Sequence, residues 1–367
     1  MKIFCSKDIL LSGVNTVQRA VSNKSTLPVL QGILLQAEEQ TLSFTATDLE
    51  IAIHCEVPAE IENEGSAVVP ARLFTDIVRK LPDTVISLEL NDDVLTISYL
   101  QSVITLKNYD PRDFPSLPDL KETESFTLPT ALFKDMVRQT VFACAAEETR
   151  PIFTGVLLNI EDRTIRLVAT DTHRLAYRVA VIPDQEELRF SGLIPAKAMT
   201  EINKLIRDDD EILHISCNNS QISFQFGSVY VISRLIDGQF PNYNQVIPHN
   251  CETKIVLAVK SLWESVERAS LIARDNNSAS IIRLSINDQI LTIDKTTEIG
   301  NIKEQIDITK EGQDIAISFN TKFLLDVLKI IDCEEIEVEF SGSYSPGVIR
   351  IVDNPDYLYL LLPVRTT

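Results

Sequence analysis

A self-repeat at a spacing of 123 residues constrains this chain more than any other feature. Thr26-Leu27-Pro28 recurs as Thr149-Arg150-Pro151, and Gln31-Gly32-Ile33-Leu34-Leu35 as Thr154-Gly155-Val156-Leu157-Leu158. Thr41-Leu42-Ser43-Phe44-Thr45-Ala46-Thr47-Asp48 recurs as Thr164-Ile165-Arg166-Leu167-Val168-Ala169-Thr170-Asp171. Motifs of different kinds that share one offset mark a duplicated folding unit. What the copies share is scaffold, and where they differ is the place to look for function.

A third copy is fainter. Pro70-Ala71-Arg72, Pro195-Ala196-Lys197 and Asn320-Thr321-Lys322 stand 125 and 125 residues apart. Each opens an amphipathic helical pattern, carried by Leu73, Ile77 and Leu81, by Met199, Ile202 and Ile206, and by Leu324, Leu325 and Leu328. An earlier helix begins each unit, with Leu10, Val14 and Val17, then Phe133, Val137 and Thr140, then Leu262, Val266 and Ala269. Alternating segments such as Ser87-Leu88-Glu89-Leu90, Val94-Leu95-Thr96-Ile97, Leu213-His214-Ile215-Ser216 and Ile290-Leu291-Thr292-Ile293 read as strands. The expected class is α+β, three repeated domains of two helices each on antiparallel sheet. Proline- and acid-rich stretches at 111–124 and 241–252 place the domains at 1–120, 125–247 and 250–367. A length of 367 residues with 44% apolar side chains suffices for three cores.

No stretch is long and apolar enough to span a bilayer; the longest late run, 357–364, is far too short. Cys5, Cys55, Cys144, Cys217, Cys251 and Cys333 are widely spaced, without metal-ligand spacing, and read as thiols of a reducing cytosol. A cytoplasmic protein with no cofactor or metal is expected. The net charge of -19 speaks against a nucleic-acid surface when taken whole. Its distribution says otherwise, because the six helical segments sum to +8 and leave -27 on strands and loops. Helices gathered on one side would make that side basic and the remainder acidic. The plainer reading is that helices end in Lys and Arg for dipole and solvation reasons.

Thr170-Asp171-Thr172-His173-Arg174-Leu175 puts an acid, an imidazole and a guanidinium within a few residues. A hydrolase would use His173 as base. Thr47-Asp48 stands at the same place in copy one without a histidine, so Asp171 is more economically a turn residue, and no Gly-x-Ser-x-Gly elbow or phosphate-cradling Gly-rich loop accompanies it. His173, Arg174 and Leu175 belong to copy two alone and mark a site there. At the C-terminus, Pro363 interrupts the apolar run that starts at Tyr357, leaving Leu362, Pro363 and Val364 as walls of an apolar groove suited to short hydrophobic peptides.

The threefold repeat, the Ala169–Ala176 string, Asp237-Gly238-Gln239-Phe240-Pro241-Asn242-Tyr243, Phe319-Asn320-Thr321-Lys322 and the terminal Leu362-Pro363-Val364-Arg365 together resemble the bacterial sliding clamp family, the beta subunit of replicative DNA polymerase. The resemblance spans the chain. It implies a non-catalytic processivity factor, a head-to-tail homodimer whose protomers each form half of a closed ring, with helices facing double-stranded DNA. It also implies a clamp loader, and polymerases and repair factors that dock short hydrophobic peptides. Matching groove positions are Thr170, Thr172, His173, Arg174, Leu175, Pro241, Val246, Asn320, Phe323, Leu362, Pro363, Val364 and Arg365. DNA-facing positions are Lys24, Arg72, Arg79, Lys80, Arg150, Lys197 and Lys322, and dimer contacts would pair Leu271 and Ile272 with Ile104 and Leu106. Glycine is common in the family where this chain has Thr172, and a basic residue where Gln245 stands, so a narrower and less cationic groove is expected. The alternative is an acidic, repeat-built interaction scaffold that never encircles DNA; a hydrolase centred on Asp171 and His173 comes last.

Overall fold

The computed structural model describes residues 1–22, 26–118, 123–147, 149–182, 188–248, 250–273 and 280–365. The element order repeats three times. The first repeat runs β1 (Lys2–Ser6), α1 (Lys7–Val17), β2 (Gly32–Glu38), β3 (Thr41–Thr47), β4 (Ile51–Pro58), β5 (Glu60–Asn63), β6 (Gly65–Pro70), α2 (Ala71–Lys80), β7 (Val85–Asn91), β8 (Val94–Tyr99) and β9 (Ser102–Lys107). The second runs β10 (Glu124–Pro129), α3 (Thr130–Thr140), β11 (Gly155–Glu161), β12 (Thr164–Thr170), β13 (Arg174–Val181), β14 (Phe190–Pro195), α4 (Ala196–Leu205), β15 (Ile212–Cys217), β16 (Gln221–Phe226) and β17 (Val229–Arg234). The third runs β18 (Thr253–Ala258), α5 (Val259–Ala273), β19 (Ile281–Asn287), β20 (Ile290–Thr297), β21 (Gly300–Asp307), β22 (Thr309–Gly312), β23 (Ile315–Asn320), α6 (Thr321–Leu328), β24 (Glu335–Phe340), β25 (Gly347–Ile351) and β26 (Asn354–Leu361). The fold is the α+β, three-domain architecture expected from the repeat.

Local chemistry explains the helices. Ser6 caps α1 by accepting the Ile9 N–H at 3.4 Å, and Asp8 sits in the first turn where the helix dipole favours a negative charge. Leu10, Val14 and Val17 fall on one face and are fully buried, each contributing roughly 1.5–3 kcal/mol through the apolar area removed from water. Gly13 is required on that face, because a Cβ there would meet the Phe44 ring of β3 at 2.4 Å. In α6 the Asn320 side chain accepts the Lys322 N–H at 2.9 Å.

Among the described residues the strand pairs are antiparallel, and two of the four sheets join one repeat to another. The order β5-β1-β7-β8-β9 forms one sheet of five strands. β10-β15-β16-β17 of repeat two continues through β17–β4 into β4-β3-β2-β6 of repeat one, with Val229 opposite Cys55 and Ser233 opposite Ile51. β14-β11-β12-β13 continues through β13–β26 into β26-β25-β24-β18-β22 of repeat three, with Arg174 opposite Leu361 and Arg178 opposite Tyr357. A last sheet is β21-β20-β19-β23. The chain accordingly packs as two compact units, Met1–Phe133 with Thr200–Leu235, and Lys134–Met199 with Ile236–Thr367. The units follow the joined sheets and not the sequence repeats.

The C-terminal run ends its strand where proline predicts. β26 stops at Leu361, with Tyr357 and Tyr359 fully buried, and Leu362–Arg365 leaves the sheet. Among the described residues no helix is long and apolar enough to cross a membrane.

Candidate functional site

The turn between β12 and β13 is built like its counterpart in repeat one. Thr170 Oγ1 accepts the Thr172 N–H at 3.1 Å and donates to the Arg174 carbonyl at 2.6 Å, while Asp171 Oδ1 accepts the N–H groups of His173 and Arg174 at 2.9 and 3.1 Å. In repeat one, Thr47 and Asp48 make the same set with Leu49, Glu50 and Ile51, at 3.0, 2.9, 3.0 and 2.9 Å. Shared Thr-Asp is therefore scaffold. Asp171 uses its second oxygen on Arg174 Nε at 2.9 Å, so its hydrogen bonds go to backbone and guanidinium rather than to the His173 ring. The imidazole instead stacks on Phe323 at 6.3 Å between centroids.

Arg174 is buried and holds the turn to helix α6. Its Nη1 donates to Asp326 at 2.6 Å and its Nη2 to the Phe142 carbonyl at 2.8 Å, and the guanidinium lies 4.5 Å from the Phe323 ring centre. Burial pulls its pKa down, yet Tyr359, Asp326 and Asp171 outweigh that and leave it raised. Burial pushes the Tyr359 phenol well up, against the lowering effect of Arg174, and its hydroxyl donates to the Phe323 carbonyl at 3.0 Å. The nearby Cys144 thiol is pushed up to about 12 by burial.

Above this network lies a groove of about 220 Å³. Of the positions expected from sequence, it brings together Thr170, Thr172, His173, Arg174, Leu175, Pro241, Val246 and Leu362. It adds Phe153, Phe240, Asn242, Tyr243 and Leu360. Tyr243 packs on Tyr177 at 5.8 Å, and burial raises its phenol pKa. Phe240 and Tyr243 come from 236–247, which packs over the buried cluster Leu157, Val168, Leu175, Leu193, Val348, Leu358 and Leu360, whereas Phe153 lies just before β11. Asn320, Phe323, Pro363, Val364 and Arg365 do not line this cavity. Asn320 ends β23 and Phe323 sits in α6 against His173 and Arg174, while Pro363, Val364 and Arg365 continue along the terminal segment, where the Leu362 N–H donates to His173 O at 2.9 Å, the Val364 N–H to Ser318 O at 2.8 Å, and Arg365 lies 5.9 Å from the centre of the exposed Tyr344 ring. With Arg174 engaged and Gln245 outside the lining, the groove is mainly apolar.

The cations expected on the helices are exposed. Arg72, Lys197 and Lys322 stand second in α2, α4 and α6, one per repeat, and Arg79 and Lys80 close α2. Arg79 lies 3.4 Å from Asp76, a surface contact of little energetic weight. Arg150 is exposed in the loop before β11, and Lys24 lies outside the described residues. Of the expected dimer contacts, Leu271 is 61% exposed, Ile272 and Ile104 are half-buried, and Leu106 is in the core of its own unit at 6%. Alternation along β9 turns Leu106 inward and leaves Val103, 63% exposed, outside. Among the described residues no group of three or more His, Cys, Asp or Glu side chains is placed to hold a metal ion.

Comparison with known proteins agrees along the whole chain. Residues 1–118, 127–242 and 244–365 match the N-terminal, central and C-terminal domains of the DNA polymerase III beta subunit. The chain is 36% identical to the beta sliding clamps of Halalkalibacterium halodurans and Bacillus subtilis, with all of each chain covered. It superimposes on crystal structures of the DNA polymerase sliding clamp of Bacillus subtilis, TM-score 0.97 at 35% identity, and of the DNA polymerase III beta subunit of Thermotoga maritima, TM-score 0.93 at 31% identity, again over all of both chains.

Proposed function

The chain belongs to the DNA polymerase III beta subunit family and is a DNA sliding clamp, and from that premise we propose that it works as a head-to-tail homodimer closed into a ring around duplex DNA. Each protomer supplies three domains with limits near 1–120, 125–247 and 250–367, boundaries that the three family matches support.

The observation that carries the ring is the strand pairing between repeats. The last strand of repeat two, β17, pairs with β4 of repeat one, and the last strand of repeat three, β26, pairs with β13 of repeat two. Continued by one step, the rule leaves two strands waiting for each other, β9, the last of repeat one, and β21, the counterpart in repeat three of β4 and β13. Both are sheet edges. They lie on the same chain, and a second copy pairs each β9 with a β21, bringing the face that carries Ile104 and Leu106 of one protomer near Leu271 and Ile272 of its partner. An open edge is a liability in a monomer and a template in a dimer.

Arg72, Lys197 and Lys322, repeated at one helical position, would meet phosphates without reading bases, so that enclosure and not affinity retains the ring. The acidic remainder disfavours binding anywhere else. Partner proteins, including the polymerase, would dock a short hydrophobic peptide in the groove lined by Leu175, Val246, Leu360 and Leu362. The clamp acts on DNA inside the cell and needs no catalytic group of its own. The test is retention on nicked circular DNA after loading by a clamp loader. The protein stays on the circle and runs off once the circle is cut; equal retention on both forms would sink encirclement.

A further inference from the structure

The β12–β13 turn fixes one side chain at the rim of the groove. Thr172 has φ +78°, a conformation that β-branched residues avoid. It is held there by the bonds that Thr170 and Asp171 make to the backbone on either side. Leu49, in the matching turn of repeat one, has φ +77°. The turn therefore dictates the direction of the Cβ at this position whatever the residue. In repeat one that direction leaves Leu49 45% exposed; in repeat two it brings Thr172 into the lining of the cavity.

Two kinds of stiffness combine at Thr172. The backbone is fixed by four hydrogen bonds, and the branch at Cβ restricts χ1, so Oγ1 and Cγ2 cannot swing aside as a longer side chain would. Of the other walls, Leu175, Leu360 and Phe153 are buried, whereas His173, Pro241, Asn242, Val246 and Leu362 are exposed. A side chain entering the groove thus meets an obstruction that does not yield.

We propose that Thr172 is a size filter, admitting a branched aliphatic anchor from a partner peptide and rejecting a broad aromatic one. The proposal rests on the reading of the groove as the peptide site. Differences of a methylene or so in an apolar pocket are worth on the order of 10–200-fold, so a filter of this kind is measurable.

The experiment is fluorescence anisotropy of the full-length protein with labelled peptides identical except for Leu, Phe or Trp at the anchor. Wild type is expected to prefer Leu over Trp by at least about tenfold. Thr172→Gly removes both the bulk and the backbone strain, whereas Thr172→Ala removes the bulk and keeps the disfavoured φ. Both are expected to narrow the Leu-to-Trp ratio to below about threefold, at melting temperatures no lower than wild type for the glycine variant. An unchanged ratio in both variants overturns the filter, as does narrowing in the glycine variant alone, which would assign the effect to backbone relaxation. Failure of every peptide to bind wild type would instead overturn the groove itself, and the filter with it.

Discussion

Arg174→Ala tests whether the residue is a pin between the groove and α6. The substitution removes bonds to Asp171 at 2.9 Å, Asp326 at 2.6 Å and the Phe142 carbonyl at 2.8 Å, together with the stack on Phe323. Breaking a buried ion pair by deleting one partner costs about 3–5 kcal/mol, because the other charge is left uncompensated. The Asp326 side chain is 33% exposed and regains water, whereas that of Asp171 is 14% exposed and does not, which sets the expected loss at the lower end, about 3 kcal/mol. Arg174→Lys keeps the charge but loses the fork that reaches several acceptors, so about half the loss is expected, ~1.5 kcal/mol. Urea unfolding followed by the fluorescence of Trp263, the single tryptophan, reads the same compact unit. With a slope of about 1–3 kcal/mol per molar urea, the alanine midpoint should fall by roughly 1–3 M at unchanged slope. A loss below about 1 kcal/mol, or equal losses for Ala and Lys, would refute the pin.

Two further outcomes are expected. Ile104→Glu should raise the dimer dissociation constant at least about tenfold in sedimentation equilibrium, about 1.4 kcal/mol, with little change in protomer stability, since Ile104 is only half-buried in the single chain; an unaltered constant removes β9 from the interface. Burial pushes the Cys55 thiol up to about 12. Because this folded value exceeds the unfolded one near 8.5, the stabilisation is complete below about pH 8.5 and is lost toward pH 12 at about 1.4 kcal/mol per pH unit. Cys55→Ala should flatten the alkaline stability profile by that slope, and an identical slope in both proteins would contradict the assignment.

Much of the fold was legible because its determinants are local. Helical spacing at Leu10, Val14 and Val17 and the strand alternation at Leu88, Leu90, Leu95 and Ile97 need no long-range information. The Thr-Asp turn was assigned as scaffold by comparing copies, and the matched hydrogen bonds of Thr47 and Thr170 bear this out. The sheets joined across repeats were not legible, since pairings such as β17–β4 depend on residues far apart in the chain. Five of the thirteen residues that line the groove were not legible for a related reason. Phe153, Phe240 and Tyr243 carry the ordinary signature of core aromatics, and only the packing of 236–247 over the buried cluster, which sets Phe240 6.4 Å from Phe153, brings the three into one lining. Along β9, alternation sets Ile104 and Leu106 on one face and Val103 on the other.

The sharing of repeat two between two sheets separates the unit of inheritance from the unit of cooperativity. A segment cut at 125–247 would expose the hydrogen-bonding edges of β13 and β17 at once, since each has its outer neighbour in another repeat. Excised, it is a strand-swapping hazard; in place, it is the splice that lets neighbouring copies melt together. Any change in the number of repeats would therefore have to pair or cover two sheet edges at once.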